Sequence, residues 1–352
     1  MPRLCSAGCI LLGASLLSGS VLAGSAGFSG ITASANSAET ASNNPAGMAR
    51  LKAPSTTASL ALANGFGTFN VDQAQSSPGG DPDNDFSPVL IPQGYHVRPL
   101  TEELTAGISL TVPSGFGSSY GSDWSGRYYT DSYSLVYVAL TPAIAWRISP
   151  QWSVGMSLGI NYTSSESEVS FRTLGPGPSL GPDGRLSAEL DGVGTRFGFS
   201  TLWEMSAQTR FGLVYTTESE TEIDGTLKFR NPGPVVGNLL ARGLIPRHIE
   251  VEQVLPQRLT GGVYHELEGG AFITADLAWI DFSAFGTSAI TLGDTRIEVD
   301  EGQFNDIWAG TLGYGFPVSH GRQYSIGAFF LQQPVDDDKR TLALPLDRIW
   351  GI

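Results

Sequence analysis

The chain has 352 residues and a net charge of −14, is 10% aromatic, contains 44 glycines and is only 15% charged. With three lysines it excludes nucleic acid as a partner, because phosphate recognition needs clustered Lys and Arg. A charged fraction this far below the roughly 25% of a soluble domain fits a surface that largely meets lipid.

Residues 1–23 read as a secretory signal. Arg3 supplies a positive start, and an apolar run from Ile10, Leu11 and Leu12 through Leu16 and Leu17 reaches Val21 and Leu22. Cleavage is expected after Ala23, with export through the Sec route. Both cysteines, Cys5 and Cys9, lie inside this segment, so the mature chain is expected to have no thiol chemistry. No later run of about 18 apolar residues follows, which rules out a transmembrane helix. If the mature chain is in a membrane, only a closed β-barrel can put it there.

Residues 24–52 are small and polar, with neither strand alternation nor a helical stripe. They contain Asn44-Pro45-Ala46, whose Asn and Pro favour a turn. From about residue 53 to 352 the pattern is period two. Strands are predicted at 55–70, 87–100, 104–120, 132–148, 151–166, 191–204, 209–224, 251–266, 271–283, 305–318 and 323–333, with a twelfth beginning near Leu346. The clearest carries Trp152, Val154, Met156, Leu158, Ile160 and Tyr162 on one face, and Ser153, Gly155, Ser157, Gly159 and Asn161 on the other.

The connections alternate in length. Tight turns fall at 101–103, 149–150, 205–208, 267–270 and 319–322. Long ones fall at 71–86, 121–131, 167–190, 225–250, 284–304 and 334–345. Short turns at one end and long loops at the other are the habit of an outer-membrane barrel, and a sandwich has no reason to keep that order. Trp146, Trp152 and Trp203 sit beside short turns, and Tyr128, Tyr129 and Tyr133 beside a long loop, as two interfacial girdles would. The fold class is therefore all-β, a transmembrane antiparallel barrel.

Two stretches depart from plain strand chemistry. The third strand carries Pro113, Ser114, Gly115 and Gly117. Proline cannot donate to a ladder and glycine marks a bulge or bend, so pairing should fail there. The alternative is an outer strand end relaxing into loop. In the connection 225–250, Val236, Leu239, Leu240 and Leu244 fall at helical spacing between Pro234 and Pro246, with Arg242 among them. Apolar surface in an external loop usually has a partner. These residues are the candidate ligand-capture site, the alternative being contact with neighbouring loops.

Several stretches resemble the FadL/TodX family of outer-membrane transporters for long-chain fatty acids and hydrocarbons. They are residues 37–49 with Asn44-Pro45-Ala46, then 123–128, 141–146 with the Trp152 strand, Leu255-Pro256, 276–279 and 282–285, and finally Gly313-Tyr314, 334–338 and 344–348. Their order along the chain carries the match from about residue 28 onward. The resemblance implies a 14-stranded barrel with an N-terminal plug, here 24–52, in which Asn44, Pro45 and Ala46 pin the plug to the wall. It also implies that Pro113, Ser114, Gly115 and Gly117 mark a lateral gate. Transport would be passive and need no cofactor. Against that pattern the plug is short, about 11–12 strands are legible, and the chain ends at Ile352 rather than an aromatic residue. The barrel region 53–352 is thus expected to be C-terminally truncated.

An enzyme is not expected. His96, His248, His265 and His320 are scattered without metal-ligand spacing, and no phosphate loop or nucleophile elbow occurs. The expected function is passive uptake of hydrophobic compounds, most of all long-chain fatty acids, in the outer membrane of a Gram-negative cell. The alternative is a general porin or a structural or adhesin barrel. Expected partners are fatty acids or hydrocarbons, outer-membrane lipid and lipopolysaccharide, and the barrel-assembly machinery.

Overall fold

The computed structural model describes residues 30–63, 79–82, 89–174, 181–299, 304–318, 322–337, 339 and 348–352. The expected signal, residues 1–23, lies outside them, as do most of the connections 71–86 and 334–345. The strands are β1 (Ser55–Ala63), β2 (Val89–Pro99), β3 (Leu104–Ser119), β4 (Ser132–Arg147), β5 (Trp152–Phe171), β6 (Gly184–Glu204), β7 (Thr209–Thr216) and β8 (Ser219–Arg230). They continue with β9 (His248–Leu255), β10 (Arg258–Glu266), β11 (Phe272–Ile280), β12 (Gly286–Leu292), β13 (Thr295–Glu298), β14 (Ile307–Val318), β15 (Arg322–Leu331) and β16 (Ile349–Gly351). The helices α1 (Thr40–Asn43) and α2 (Gly233–Ala241) are short, and a 3-10 helix spans Pro45–Arg50. No described helix is long and apolar enough to cross a membrane.

The strand pairings among the described residues are antiparallel, and the main hydrogen-bonded path runs β1-β2-β3-β4-β5-β6-β7-β10-β11-β14-β15-β16. The predicted strand 209–224 divides into β7 and β8, and 251–266 divides into β9 and β10. The second break falls at Pro256, which has no N–H to give a ladder. The halves then take different partners: β7 joins β6 to β10, whereas β8 joins the other part of β6 to β9. Much of the predicted loop sequence is strand. β5 continues to Phe171 and β6 begins at Gly184, because Val169, Phe171, Leu186, Ala188 and Leu190 keep the period-two pattern among their charged neighbours. In 284–304, β12 and β13 form a hairpin turned at Gly293, whose φ of +57° suits glycine. Glu220, Glu222 and Asp224 on β8 are exposed, a face lipid would not tolerate, so this part of the sheet stands beyond the lipid-facing band.

Burial along β5 separates a membrane barrel from a soluble sandwich. Trp152 is 44% and Ile160 41% exposed, whereas Asn161 is 3% and Thr163 0% exposed. The apolar face points out and the small polar face points in, the reverse of a water-soluble protein. The same inversion places Leu213, Leu277, Trp308, Leu312 and Phe330 outside. Trp152, Trp203 and Phe211 stack as one outward row at the short-turn end, with ring separations of 5.7 and 5.6 Å. Tyr133 does not join the opposite girdle. It shares inward parity with Leu135 and Tyr137 and packs against the interior apolar cluster.

Candidate functional site

The N-terminal segment lies against the inward faces of the strands. Asn44 is fully buried and caps the 3-10 helix: its Oδ1 accepts from Ala46 N at 3.1 Å. Its Nδ2 donates to Thr32 O at 2.7 Å and to Thr201 O on β6 at 3.2 Å. Ala46 N also donates to Ser200 Oγ at 2.9 Å. Pro45, lacking an N–H, sits at the first turn, where a helix needs none. Asn44, Pro45 and Ala46 therefore sit together on β6, with all of Asn44's amide atoms engaged.

Other strands complete the anchorage. The Asp276 carboxylate on β11 accepts from the backbone N–H of Gly30, of Ile31 at 3.1 Å and of Thr32 at 3.2 Å, and from Thr311 Oγ1 at 3.3 Å. Arg210 on β7 donates to Ala33 O at 3.1 Å and Ser34 O at 2.8 Å, with its guanidinium 3.9 Å above the Tyr264 ring. At the short-turn end Arg50 pairs with Glu204, and Arg147 donates to Ala49 O. Glycines make this close approach possible. A Cβ at Gly107 would overlap Met48, one at Gly155 the Pro45-Ala46 peptide, and one at Gly212 the Thr32 carbonyl.

The β2–β3 ladder is incomplete. Its register begins at Pro99↔Thr105 and ends at Gly94↔Leu110, although β2 runs on to Val89 and β3 to Ser119. Beyond that point β2 pairs with β1 and β3 with β4. At the same level β3 bulges: Thr111 faces Ala139 and Ser114 faces Tyr137, so Val112 and Pro113 together oppose Val138. Ser114, Gly115 and Gly117 lie in strand beyond the bulge and pair with Tyr137, Val136 and Ser134. The outer end of β3 therefore remains strand rather than relaxing into loop.

Pro113 also lines an internal cavity of about 100 Å³ above the N-terminal segment. Ser42 and Pro45 contribute to its floor. Its lining is mixed: Asn161, Ser157 and Arg196 on β5 and β6 are polar, and Leu255, Ile280, Phe282 and Phe285, from β9 and from the end of β11 onward, are apolar. Arg196 on β6 donates through Nε to Thr217 O at 2.7 Å and through Nη2 to Pro256 O at 2.5 Å. Among the described residues it makes no ion pair. Arg258 on β10 lines the same cavity. Close by, Tyr137 OH, Asn161 Nδ2, Thr163 Oγ1 and Ser219 Oγ are buried with no hydrogen-bond partner among the described residues. Just past β11, Asp281 accepts from Gln257 Nε2 at 2.8 Å and Ser283 Oγ at 2.9 Å. These bonds, Gln257's above all, hold its carboxyl below the usual carboxylate range.

The loop residues are placed elsewhere. Helix α2 forms between β8 and β9 with no buried residue, and Leu239 and Leu244 are exposed, the latter by 63%. Val236, Leu239 and Leu240 lie on α2, Arg242 caps its C-terminus and Leu244 follows in the connection to β9; none of them lines the cavity. Arg196, Arg210, Arg258 and Asp276 were missed in the sequence. Each is a charge at an inward position of a strand whose other face is lipid-facing, and a charge at membrane depth is a functional signal in itself.

The family model for outer membrane protein transport protein (OMPP1/FadL/TodX) matches residues 5–351. A long-chain fatty acid transport protein of Escherichia coli O6:H1 is 24% identical over 292 residues, 74% of this chain and 64% of the relative, so the chain spans somewhat less than two thirds of that protein. The protein of the same name from Salmonella typhi is 24% identical over 92% of this chain and 78% of its own. Among solved structures, a Pseudomonas aeruginosa FadL homologue superposes with a TM-score of 0.74 at 16% identity, over 98% of this chain and 84% of that one. The Pseudomonas putida toluene transporter TodX gives 0.60 at 15% identity, over 96% and 84%. These structures share the fold, and the family match covers nearly the whole sequence: the chain belongs to the OMPP1/FadL/TodX family of outer-membrane transport proteins.

Proposed function

We propose that this chain carries long-chain fatty acids passively across the outer membrane, through the interior cavity and out sideways between β2 and β3. The observation that carries this reading is the cavity's composition. A half-buried guanidinium, that of Arg196, lines the cavity with no ion pair among the described residues, and four hydrophobic side chains line it as well. A carboxylate on an apolar tail complements both, since a charged hydrogen bond to Arg is among the stronger polar contacts. A hydrocarbon would leave the guanidinium without an anionic partner. The unpaired stretch of β2 and β3, with the Pro113 bulge opening beside the cavity, supports a sideways exit: a path that breaks no existing ladder bond. Val236, Leu239, Leu240, Arg242 and Leu244 would gather ligand outside. The anchored N-terminal segment argues against an open porin lumen.

The test is uptake of labelled oleate by cells lacking their own fatty-acid porter, with toluene sensitivity measured in parallel. The parent is expected to support oleate uptake, and Arg196→Met to lower it at least tenfold without changing toluene sensitivity. A parent that admits toluene but not oleate would replace the fatty-acid reading with a hydrocarbon one.

A further inference from the structure

The cavity is smaller than anything it is proposed to hold. At about 100 Å³ it falls below the roughly 150 Å³ that accommodates benzene in an engineered apolar cavity, and below the roughly 300 Å³ at which ligand pockets usually begin. A ligand seated wholly inside it therefore needs a wall that can move. The polar wall lies on β5 and β6, paired continuously from Trp152↔Trp203 to Phe171↔Gly184, and cannot shift without breaking a ladder. The floor is fixed through Asn44.

The apolar wall is held differently. Phe282 and Phe285 lie on the connection between β11 and β12, outside any ladder, with Phe282 in the 3-10 turn Phe282–Ala284. They are 1% and 5% exposed and stack at 4.6 Å. Phe304, from the segment before β14, packs edge-on to both, at 5.5 and 5.9 Å. What holds the turn is a clip of side-chain bonds, Gln257 and Ser283 on Asp281 and Ser283 N on Asp306 at 3.4 Å, with one backbone bond to the neighbouring segment, Asp281 N to Gln257 O at 3.2 Å, and its own turn bonds. Gly286 follows immediately with φ +116°, a conformation few other residues adopt, and its missing side chain leaves space facing Phe304. Three rings held mainly by dispersion can separate and re-form contact with an apolar tail at little net cost, because the tail replaces the ring contacts it removes.

We propose that Phe282, Phe285 and Phe304 form a displaceable aromatic wall that determines which apolar tails the interior site admits and how fast. The proposal rests on the reading that the site takes hydrophobic molecules. A tail enters by parting Phe282 from Phe304, and the bulk of these rings sets the barrier.

The test uses the full-length protein in nanodiscs, with displacement of a fluorescent polyene fatty acid by oleate, and separately by toluene, followed by stopped flow. Phe282→Leu and Phe304→Leu are each expected to load ligand at least fivefold faster than the parent. Phe272→Leu, which alters a ring stacked on Tyr264 away from the cavity, should stay within twofold. Heat-modifiable gel migration confirms that each barrel is assembled, and Phe285→Leu replaces either wall variant that fails this check. If the parent loads either probe and the assembled wall variants stay within twofold of it, the wall is overturned. If the parent loads neither probe, the transport reading fails and the wall fails with it.

Discussion

The Pro45-Ala46 peptide occupies the space that a side chain on Gly155 would need: a Cβ built there would overlap Ala46 N and Pro45 C. The N-terminal segment and β5 therefore touch backbone to backbone, and glycine is the only residue that allows it.

Gly155→Ala should push the two apart. Overpacking of this kind costs about 1–3 kcal/mol. In a chain carrying Ser42→Cys in the cavity floor, the thiol should react severalfold faster with a water-soluble reagent once Gly155 is changed. Gly159→Ala is the control, since its added carbon meets nothing nearer than 3.4 Å. Equal rates in both variants would contradict the contact.

Asp276→Leu should free the start of the same segment. The three backbone N–H groups of Gly30, Ile31 and Thr32 would lose their acceptor, at about 1–3 kcal/mol for each group left buried and unpaired. Deuterium exchange at residues 30–32 is expected to accelerate at least tenfold, and less in Asp276→Asn, which keeps an acceptor oxygen. Unchanged exchange in Asp276→Leu would show that other contacts hold the segment.

The β9–β12–β13 sheet should be acid-sensitive. Arg296 bonds Glu252 and Glu298, and the Arg296 bond holds the Glu252 carboxyl below its ordinary range. A lowered carboxylate pKa in the folded state adds stability above the unfolded value of about 4.3 and loses it as pH falls through the folded one. Amide exchange at 286–298 should therefore rise as pH drops below about 4.3. Arg296→Met should remove that dependence and raise exchange at neutral pH. The pair is exposed, so the effect is local.

The barrel was legible because its strands alternate two chemistries over long stretches, as in Trp152 to Tyr162, and because long and short connections take turns. The divided strands were not, since period two runs through Thr217-Glu218 and the break shows only in the pairing, β7 with Gly198–Glu204 and β8 with Arg185–Asp191 of β6. The Pro113 bulge could be read from one residue's missing donor. The cavity could not, because Arg196, Pro113, Phe282 and Pro45 come from four separate parts of the chain and only the folding of the sheet about the N-terminal segment brings them together. Helix α2 followed from spacing alone, yet spacing says nothing of what a helix touches, and its apolar residues lie apart from the cavity.

On the proposed reading, hydrophobic molecules leave the barrel through the unpaired stretch of β2 and β3. Deleting Pro113 removes the extra residue of the bulge, so that Val112 alone opposes Val138 and β3 can straighten. The decisive measurement is labelled-oleate uptake by cells lacking their own fatty-acid porter, with assembled barrels counted by heat-modifiable migration. Uptake by the parent is expected, with at least a tenfold loss in the deletion. Uptake by the deletion at the parent's rate would contradict it.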